Sequence, residues 1–382
     1  MIRLASYNVE NLFQRARILN RNEWVDLDGS GSRMAAARAL LDATAKLNAL
    51  LAEPVYTPAI KTQILATLEV LGLQQSDETK FVILRRNRGD LLRRPKNGDP
   101  VEVVAEGRSD WIGWVELKTE AVSEVATENT ARVIGNVNAD ILAVVEAENR
   151  TSLLRFDEQV LRPTTNSGYD HVLLIDGNDE RGIDVGLMAR GGISIDFVRS
   201  HVDDFNEGER IFSRDCPEFH IKLPTNEKLV VLVNHLKSKG YGTPAASNAK
   251  RKLQAQRIRE IYDQLLAEGH QYIAIVGDLN DSPDSDPMSP LLANGSSLRD
   301  VSEHPDFDFS GRPGTYGNGT ASDKIDYVLL SPDLFDRTRG GAIYRAGVWG
   351  GKNGDLFPHL PEITNTNQAA SDHAAIYADF SF

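Results

Sequence analysis

Apolar residues in this chain gather in short unbroken runs, and most runs end abruptly in a polar residue. Ile141 to Val145, Val172 to Ile175, Val185 to Met188, Leu229 to Val233, Tyr272 to Val276 and Tyr327 to Leu330 are of this kind, and Phe219 to Leu223 and Ala374 to Phe380, each broken by polar positions, also read as strands. A run of four to eight β-branched and apolar residues, bounded by glycine or polar positions, predicts a strand covered on both faces. Leu4, Ala5, Tyr7 and Val9 predict another within residues 2–13. Phe81 to Leu84, Val101 to Val104 and Trp111 to Leu117 predict shorter ones. Helices are predicted at about 32–52 (Ser32 as cap, Pro54 as stop), 58–73 (opened by Pro58, closed near Gly72), 119–138 (Thr119 as cap) and 248–268. Strands with interspersed helices, but without strict alternation, predict an α/β fold of two mixed sheets packed face to face with helices outside.

The polar residues at the strand ends carry the candidate chemistry. Gly277 should end the Tyr272–Val276 strand, and Asp278 and Asn280 follow it two apart, so an extended backbone would point both side chains one way. Asn8 and Glu10 repeat that spacing, Glu146 closes the run at 141–145, and Asn234, His235 and Lys237 follow Leu229–Val233. Asp326 opens one strand, and Asp372 and His373 immediately precede the last. Each cluster alone has a bland account as a turn, a helix cap or a core histidine. Six clusters of one kind point instead to a site where strand ends converge.

The residue types suit one chemistry. Glu10, Glu146 and Asp372 are hard oxygen ligands for Mg²⁺ or Mn²⁺. His235 and His373 with an aspartate suit proton handling near neutral pH. Asn8, Asn280 and His235 can donate to a phosphoryl oxygen. Neither a nucleophile elbow nor a glycine-rich phosphate loop is present, so the nucleophile is most simply water. Together these predict metal-assisted hydrolysis of a phosphate ester.

Charge and composition narrow the picture only slightly. The net charge of −13 disfavours holding duplex nucleic acid by charge alone, although a bound cation would offset acidic residues in a nuclease site. The single cysteine, Cys216, excludes an intramolecular disulfide and a multi-cysteine zinc site. With no apolar run of eighteen residues and no signal-peptide pattern ahead of the first strand, a cytoplasmic enzyme is expected. Residues 14–130 lack strand-end polar clusters but hold a basic run, Lys80, Arg85, Arg86, Arg88, Arg93, Arg94 and Lys96 against Asp90. That run is either the charged edge of a solvated hairpin or a phosphate-contacting arm.

Ser6-Tyr7-Asn8-Val9-Glu10, the strand-end Glu146, Gly277-Asp278-Leu279-Asn280, Asp326 and Ser371-Asp372-His373, in that order, resemble the endonuclease/exonuclease/phosphatase superfamily, whose members include deoxyribonuclease I and exonuclease III. The resemblance spans about 2–13 and 140–382, and Asn234 to Lys239 is most similar to bacterial nuclease-like members. It implies a four-layer α/β sandwich, the DNase I-like fold, in one catalytic domain over 1–382 with 14–130 inserted. It implies Glu146 as principal metal ligand, with Glu10 and Asp372 nearby, for Mg²⁺, with Mn²⁺ or Ca²⁺ as alternatives. Asp278 would orient or deprotonate the attacking water beside Asn280. His373, held by Asp326, would contact the phosphate or act as base, and His235 would stabilise the transition state or assist the leaving group. Asn8, Arg181 and Lys237 would face the substrate. Glu10 departs from the Asp that many members carry, and 14–130 has no counterpart in compact members.

The expected activity is therefore a phosphodiesterase, a nuclease cleaving DNA or RNA. A hydrolase of small phosphoesters (a phosphoinositide, a sphingolipid headgroup or a phosphotriester) is the first alternative. A non-catalytic binding protein working through 14–130 is the second. No protein partner is indicated.

Overall fold

The computed structural model describes residues 1–12, 17–19, 33–95, 99–119, 123–179, 182–239, 243–293 and 295–382. Two compact units divide the chain, one of Met1–Phe13 with Val122–Phe382, the other of Gln14–Ala121. Arg181 and Lys96 lie outside the described residues, as does Ser32.

The larger unit is built on two sheets. One runs Phe307–Asp308, Thr338–Tyr344, Ala375–Phe380, Ile2–Leu12, Ile141–Ala147, Asp184–Ala189, His171–Ile175. The other runs Arg299–Asp300, Asp326–Leu330, Tyr272–Asp278, Lys228–His235, Glu218–Lys222, Ser194–Arg199. Each has a central parallel pair, Ile2–Leu12 with Ile141–Ala147 and Lys228–His235 with Tyr272–Asp278, and the strands flanking those pairs are antiparallel to them. The C-terminal ends of the parallel pairs therefore lie beside the N-terminal ends of their antiparallel neighbours.

The apolar runs follow from burial on both faces. Leu4, Ala143, Val145, Val231, Val233, Ala274, Val276, Val328 and Ile376 form one core between the sheets. The intervening residues face outward under helices: Ala5, Tyr7, Leu142 and Val144 pack with residues of the Glu124–Val137 and Arg150–Phe156 helices. Val230, Leu232, Ile273 and Ile275 pack with Ala255, Ile258 and Tyr262 of the Pro244–Ala267 helix. Helix, sheet, sheet, helix is the four-layer sandwich.

Two local expectations need correction. Gly277 does not end its strand, which continues to Asp278. Glycine is required there for a different reason: its φ is +128°, and a Cβ would lie 1.9 Å from the Asn234 carbonyl oxygen on the paired strand. Gly277→Ala should therefore destabilise the fold by roughly 3 kcal/mol or more, read as a lowered urea midpoint; an unchanged midpoint would contradict this close approach. The helix expected from Thr119 begins at Glu124, because Ser123 takes an extended conformation and its hydroxyl accepts from the Ala126 N–H. Glu146 lies one residue from the end of its strand, as its place after the apolar run suggests.

The Gln14–Ala121 unit holds the helices Arg33–Ala52 and Pro58–Val70 and the paired strands Val82–Arg88 and Ile112–Leu117. Asn48 of the first helix bonds both backbone groups of Val115, donating at 2.9 Å and accepting at 2.7 Å. Four arginines of the basic run have acidic partners within the unit. Arg85 pairs with Glu116, Arg86 with Asp90, Arg93 with Glu102 and Arg94 with Asp77, while Arg88 donates to the Ser109 carbonyl. No described helix is long and apolar enough to cross a membrane.

Candidate active site

The two central strand triplets stack in the same order, and their polar ends meet one to one. One sheet offers Asp326, Asp278 and His235 on three neighbouring strands, in register. The other offers His373 just before Ala375–Phe380, Asn8 on Ile2–Leu12 and Glu146 on Ile141–Ala147. Across the gap, Asp326 Oδ2 accepts from His373 Nδ1 at 2.8 Å and Asp278 Oδ2 from Asn8 Nδ2 at 3.2 Å, while Glu146 Oε1 lies 3.5 Å from His235 Nε2. Asp278 Oδ2 is also 3.7 Å from His235 Nε2 and 3.8 Å from His373 Nε2, at the centre of the constellation.

Backbone strain aims several of these groups. Glu10 and Glu146 have φ of +54° and +66°, and the pairing of their two parallel strands slips between Asn8 and Leu12. A bulge of this kind turns a side chain out of the sheet's alternation, and left-handed glutamates cost on the order of 1 kcal/mol each. Asn280, at +56°, is also left-handed. Asp278 and Asn280 consequently do not share a face of an extended strand. Instead Asp278 Oδ1 accepts from the Asn280 N–H at 2.9 Å, and the Asn280 amide donates to the Leu236 carbonyl at 3.2 Å.

Asn8 is fixed from three sides. Its Oδ1 accepts the Glu10 N–H, its carbonyl accepts the Ser371 hydroxyl at 2.7 Å, and Ser371 Oγ accepts the His373 N–H in turn. Glu10 Oε2 accepts the Asp372 N–H at 3.0 Å. Asp372 is thus tied to Glu10, its own carboxylate half exposed and 3.7 Å from His373 Nε2.

Thr315 belongs to this site although nothing in its sequence context marked it. Its hydroxyl donates to Asp326 Oδ2 at 2.6 Å and accepts the Asp326 N–H at 3.0 Å, while its carbonyl accepts the Ala374 N–H. It therefore straddles the strands that bring Asp326 and His373 from different sheets. The Tyr316 ring packs against His373, centroids 4.9 Å apart.

The electrostatics separate the groups by role. Burial drives the Asp278 carboxyl up to about 7, with Asp326 and Glu146 adding to the rise against His373 and the Asn280 N–H. For His373 burial opposes the charge, but the Asp326 carboxylate and its hydrogen bond, with Asp278 and Asp372, outweigh it and hold the imidazole well above the usual histidine range. Asp184, at the start of the strand beside Ile141–Ala147, is also pushed by burial up to about 7.

Among the described residues, Glu146, His235 and Asp278 form one close donor set and Asp278, Asp326 and His373 another; Glu10 and Asp372 fall in neither. Glu146, Asp278 and Asp326 have only histidines as ionic partners among the described residues. Oxygen and imidazole donors with surplus negative charge fit a divalent cation at Glu146, whose side chain is 18% exposed where Asp278 and His235 are nearly sealed. Lys237 lies two residues beyond His235, its N–H donating to Gln254 and its carbonyl accepting from Arg251.

Residues 94–306 match the model of the Endonuclease/Exonuclease/phosphatase family. No curated protein matches the chain. Similar solved structures include a mannosyl-6-phosphatase of Bacteroides thetaiotaomicron, 16% identical, covering 67% of this chain and 91% of that one, at a TM-score of 0.49. Truncated TDP2 of Caenorhabditis elegans is 16% identical over 68% of this chain and 90% of its own, at 0.46. The human Nocturnin catalytic domain with bound sulfate is 15% identical over 69% and 88%, at 0.47.

Proposed function

The chain belongs to the endonuclease/exonuclease/phosphatase family, whose members hydrolyse phosphoester bonds, typically with a divalent metal, and on that premise we propose that it is a Mg²⁺-dependent phosphodiesterase that cleaves nucleic acid by attack of water on phosphorus. The observation that carries the proposal is the one-to-one meeting of Asp326, Asp278 and His235 with His373, Asn8 and Glu146. It places a carboxyl near neutral pKa between two imidazoles and an amide, which suits in-line attack.

In this reading Asp278 holds the water and takes its proton. Asn8 and the protonated His373 hold phosphoryl oxygens, and His235 stabilises charge that develops in the transition state. Asn280, whose amide is anchored to Leu236, keeps the Asp278 turn closed. Glu146, with Glu10 and Asp372 at the same strand ends, would hold Mg²⁺, which when bound supplies Lewis-acid polarisation of the ester. Glu146→Ala should raise the Mg²⁺ concentration for half-maximal activity about tenfold or more; an unchanged Mg²⁺ titration would remove Glu146 from the ligand set. The Gln14–Ala121 unit is read as an insertion in this catalytic domain, ending before the Glu124–Val137 helix rather than at 130.

A small phosphoester is the second reading, favoured by the ion pairs that engage four arginines of the basic run within its own unit. A substrate panel separates the two: plasmid and single-stranded DNA, RNA, abasic DNA, bis(p-nitrophenyl) phosphate and a phosphomonoester, each with Mg²⁺, Mn²⁺, Ca²⁺ or EDTA. Nucleic-acid cleavage should weaken steeply with salt, and hydrolysis of a small ester should hardly respond. A protein inert toward all six substrates would sink the proposal.

A further inference from the structure

Arg345 leaves the Thr338–Tyr344 strand at the end where Tyr344 pairs with Ala375, two residues after His373. The residue is only 5% exposed, yet its guanidinium forms no ion pair among the described residues. Burial and the nearby Arg312 charge push its pKa below the usual arginine value, and Asp308 opposes them without pairing. The guanidinium donates instead to three carbonyls of one loop. Nη2 reaches Phe309 and Arg312, each at 2.7 Å, and Nη1 reaches Gly314 at 3.1 Å. The Phe357 ring centre lies 5.5 Å away, and Nε has no hydrogen-bond partner. Glycine at 319 makes room for this packing: its φ is +69°, and a Cβ would lie 2.9 Å from Arg345 Nη1.

The residues after Gly314 are the part of the loop that reaches the site. The Thr315 hydroxyl holds Asp326, and the Thr315 carbonyl accepts the Ala374 N–H at 2.7 Å. The Gly317 N–H donates to the Asp372 carbonyl at 2.8 Å. Within the loop, the Gly314 N–H donates to the Gly319 carbonyl, and the N–H groups of Thr315 and Tyr316 both donate to the Asp323 carbonyl. Residues 315–317 thus bridge the Asp326 strand of one sheet to the Asp372–Ala374 segment of the other. Arg345 fixes the chain immediately ahead of that bridge.

Stability alone does not call for a cation here. Withdrawing a guanidinium from water onto neutral carbonyls, with no carboxylate to pair with, is costly. The planar fork of an arginine does fix several acceptors in one relative geometry, which a flexible cation cannot. Resting on the phosphoesterase reading above, we propose that Arg345 is a positioning residue: through the carbonyls of Phe309, Arg312 and Gly314 it sets the Thr315–Gly317 bridge, and through that bridge the alignment of His373 with Asp326.

The test joins turnover of bis(p-nitrophenyl) phosphate in Mg²⁺ to a signal that needs no substrate. In the full chain labelled with ¹⁵N-histidine, the proton between His373 Nδ1 and Asp326 should give a far-downfield resonance, assigned by its loss in His373→Ala. His201, beyond the Ser194–Arg199 edge strand, faces Asp204 at 3.0 Å and Glu218 at 2.7 Å, so its resonance serves as the control for an intact fold. Arg345→Met should lower kcat about tenfold with little change in KM, as for a group that aligns the transition state. It should also broaden the His373 resonance while that of His201 stays sharp. Thr315→Val should cost turnover in the wild type and much less in the Arg345→Met background. Arg345→Lys keeps the charge but not the fork, so it should fall between wild type and Arg345→Met in both readouts, and it carries the test if Arg345→Met does not fold. A sharp His373 resonance in Arg345→Met, losses that add, an Arg345→Lys equal to wild type, or an Arg345→Met that only lowers the urea midpoint would each overturn the proposal. Failure of the functional reading shows separately, as absence of turnover in the substrate panel, while the His373 resonance still reports on Arg345.

Discussion

Asp278→Asn should lower turnover by about two orders of magnitude or more while making the metal-free protein more stable above neutral pH. Both effects follow from one side chain. Asp278 is buried, faces Asp326 in register and lies near Glu146, and its carboxyl is driven up to about 7. A carboxyl raised in the folded state favours folding at pH values below its ordinary 3.8, and that contribution is lost as pH rises through about 7. At pH 8 the folded wild type must therefore keep a charge in a buried, acid-lined place, and an amide removes that cost. At pH 4 the carboxyl is neutral in the fold and the substitution gains little. Melting curves in EDTA at the two pH values, beside turnover in Mg²⁺, check the prediction. An active variant would remove Asp278 from water handling, and a variant no more stable at pH 8 would contradict the charge crowding.

The fold was largely legible because its strands are buried on both faces. Ile141 to Val145 and Tyr272 to Val276 are uninterrupted apolar runs for the same reason that Leu142 and Ile273 face helices while Ala143 and Ala274 face the opposite sheet. Ser194–Arg199 escaped notice because it is an edge strand with Asp196 and Phe197 exposed, and Thr338–Tyr344 because two glycines interrupt its pattern. The candidate site was legible where polar residues cut an apolar run, as at Glu146, His235 and Asp278. It was not legible at Thr315, and the buried bonds of Arg251 and Gln254 were not legible either. Thr315 stands in a loop with no apolar run to make it conspicuous, and Arg251 and Gln254 resemble the solvated face of any charged helix until their partners, Lys237 and Asp281, are known. Local pattern cannot report a bond whose other half lies in a distant segment. The spacing argument for Asp278 and Asn280 failed for a related reason: it assumed an extended backbone where the Asp278 carboxylate closes a left-handed turn.

Asp326→Asn should lower turnover by about three orders of magnitude and move the alkaline limb of the pH–rate profile to lower pH. Asp326 Oδ2 accepts both the His373 Nδ1 hydrogen and the Thr315 hydroxyl, at 2.8 Å and 2.6 Å. With the Thr315 hydroxyl already accepting the Asp326 N–H, its own hydrogen is committed to that oxygen. An amide oxygen in the Oδ2 place can still accept both hydrogens, whereas turning its NH₂ toward Nδ1 would reverse the tautomer, so that the neutral ring presents an Nε2 hydrogen rather than a lone pair to the substrate. The charge is lost as well. His373 is held well above the usual histidine range against the effect of burial, chiefly by Asp326, so removing that carboxylate lets the imidazolium lose its proton at lower pH. If His373 works as a cation on a phosphoryl oxygen, activity should then fall off earlier on the alkaline side. If it works as the base, the same substitution should extend activity toward lower pH, because the neutral imidazole becomes available sooner. Which limb of the profile moves therefore decides between the two roles, and an unmoved profile with near-normal turnover would detach the Asp326–His373 pair from catalysis altogether.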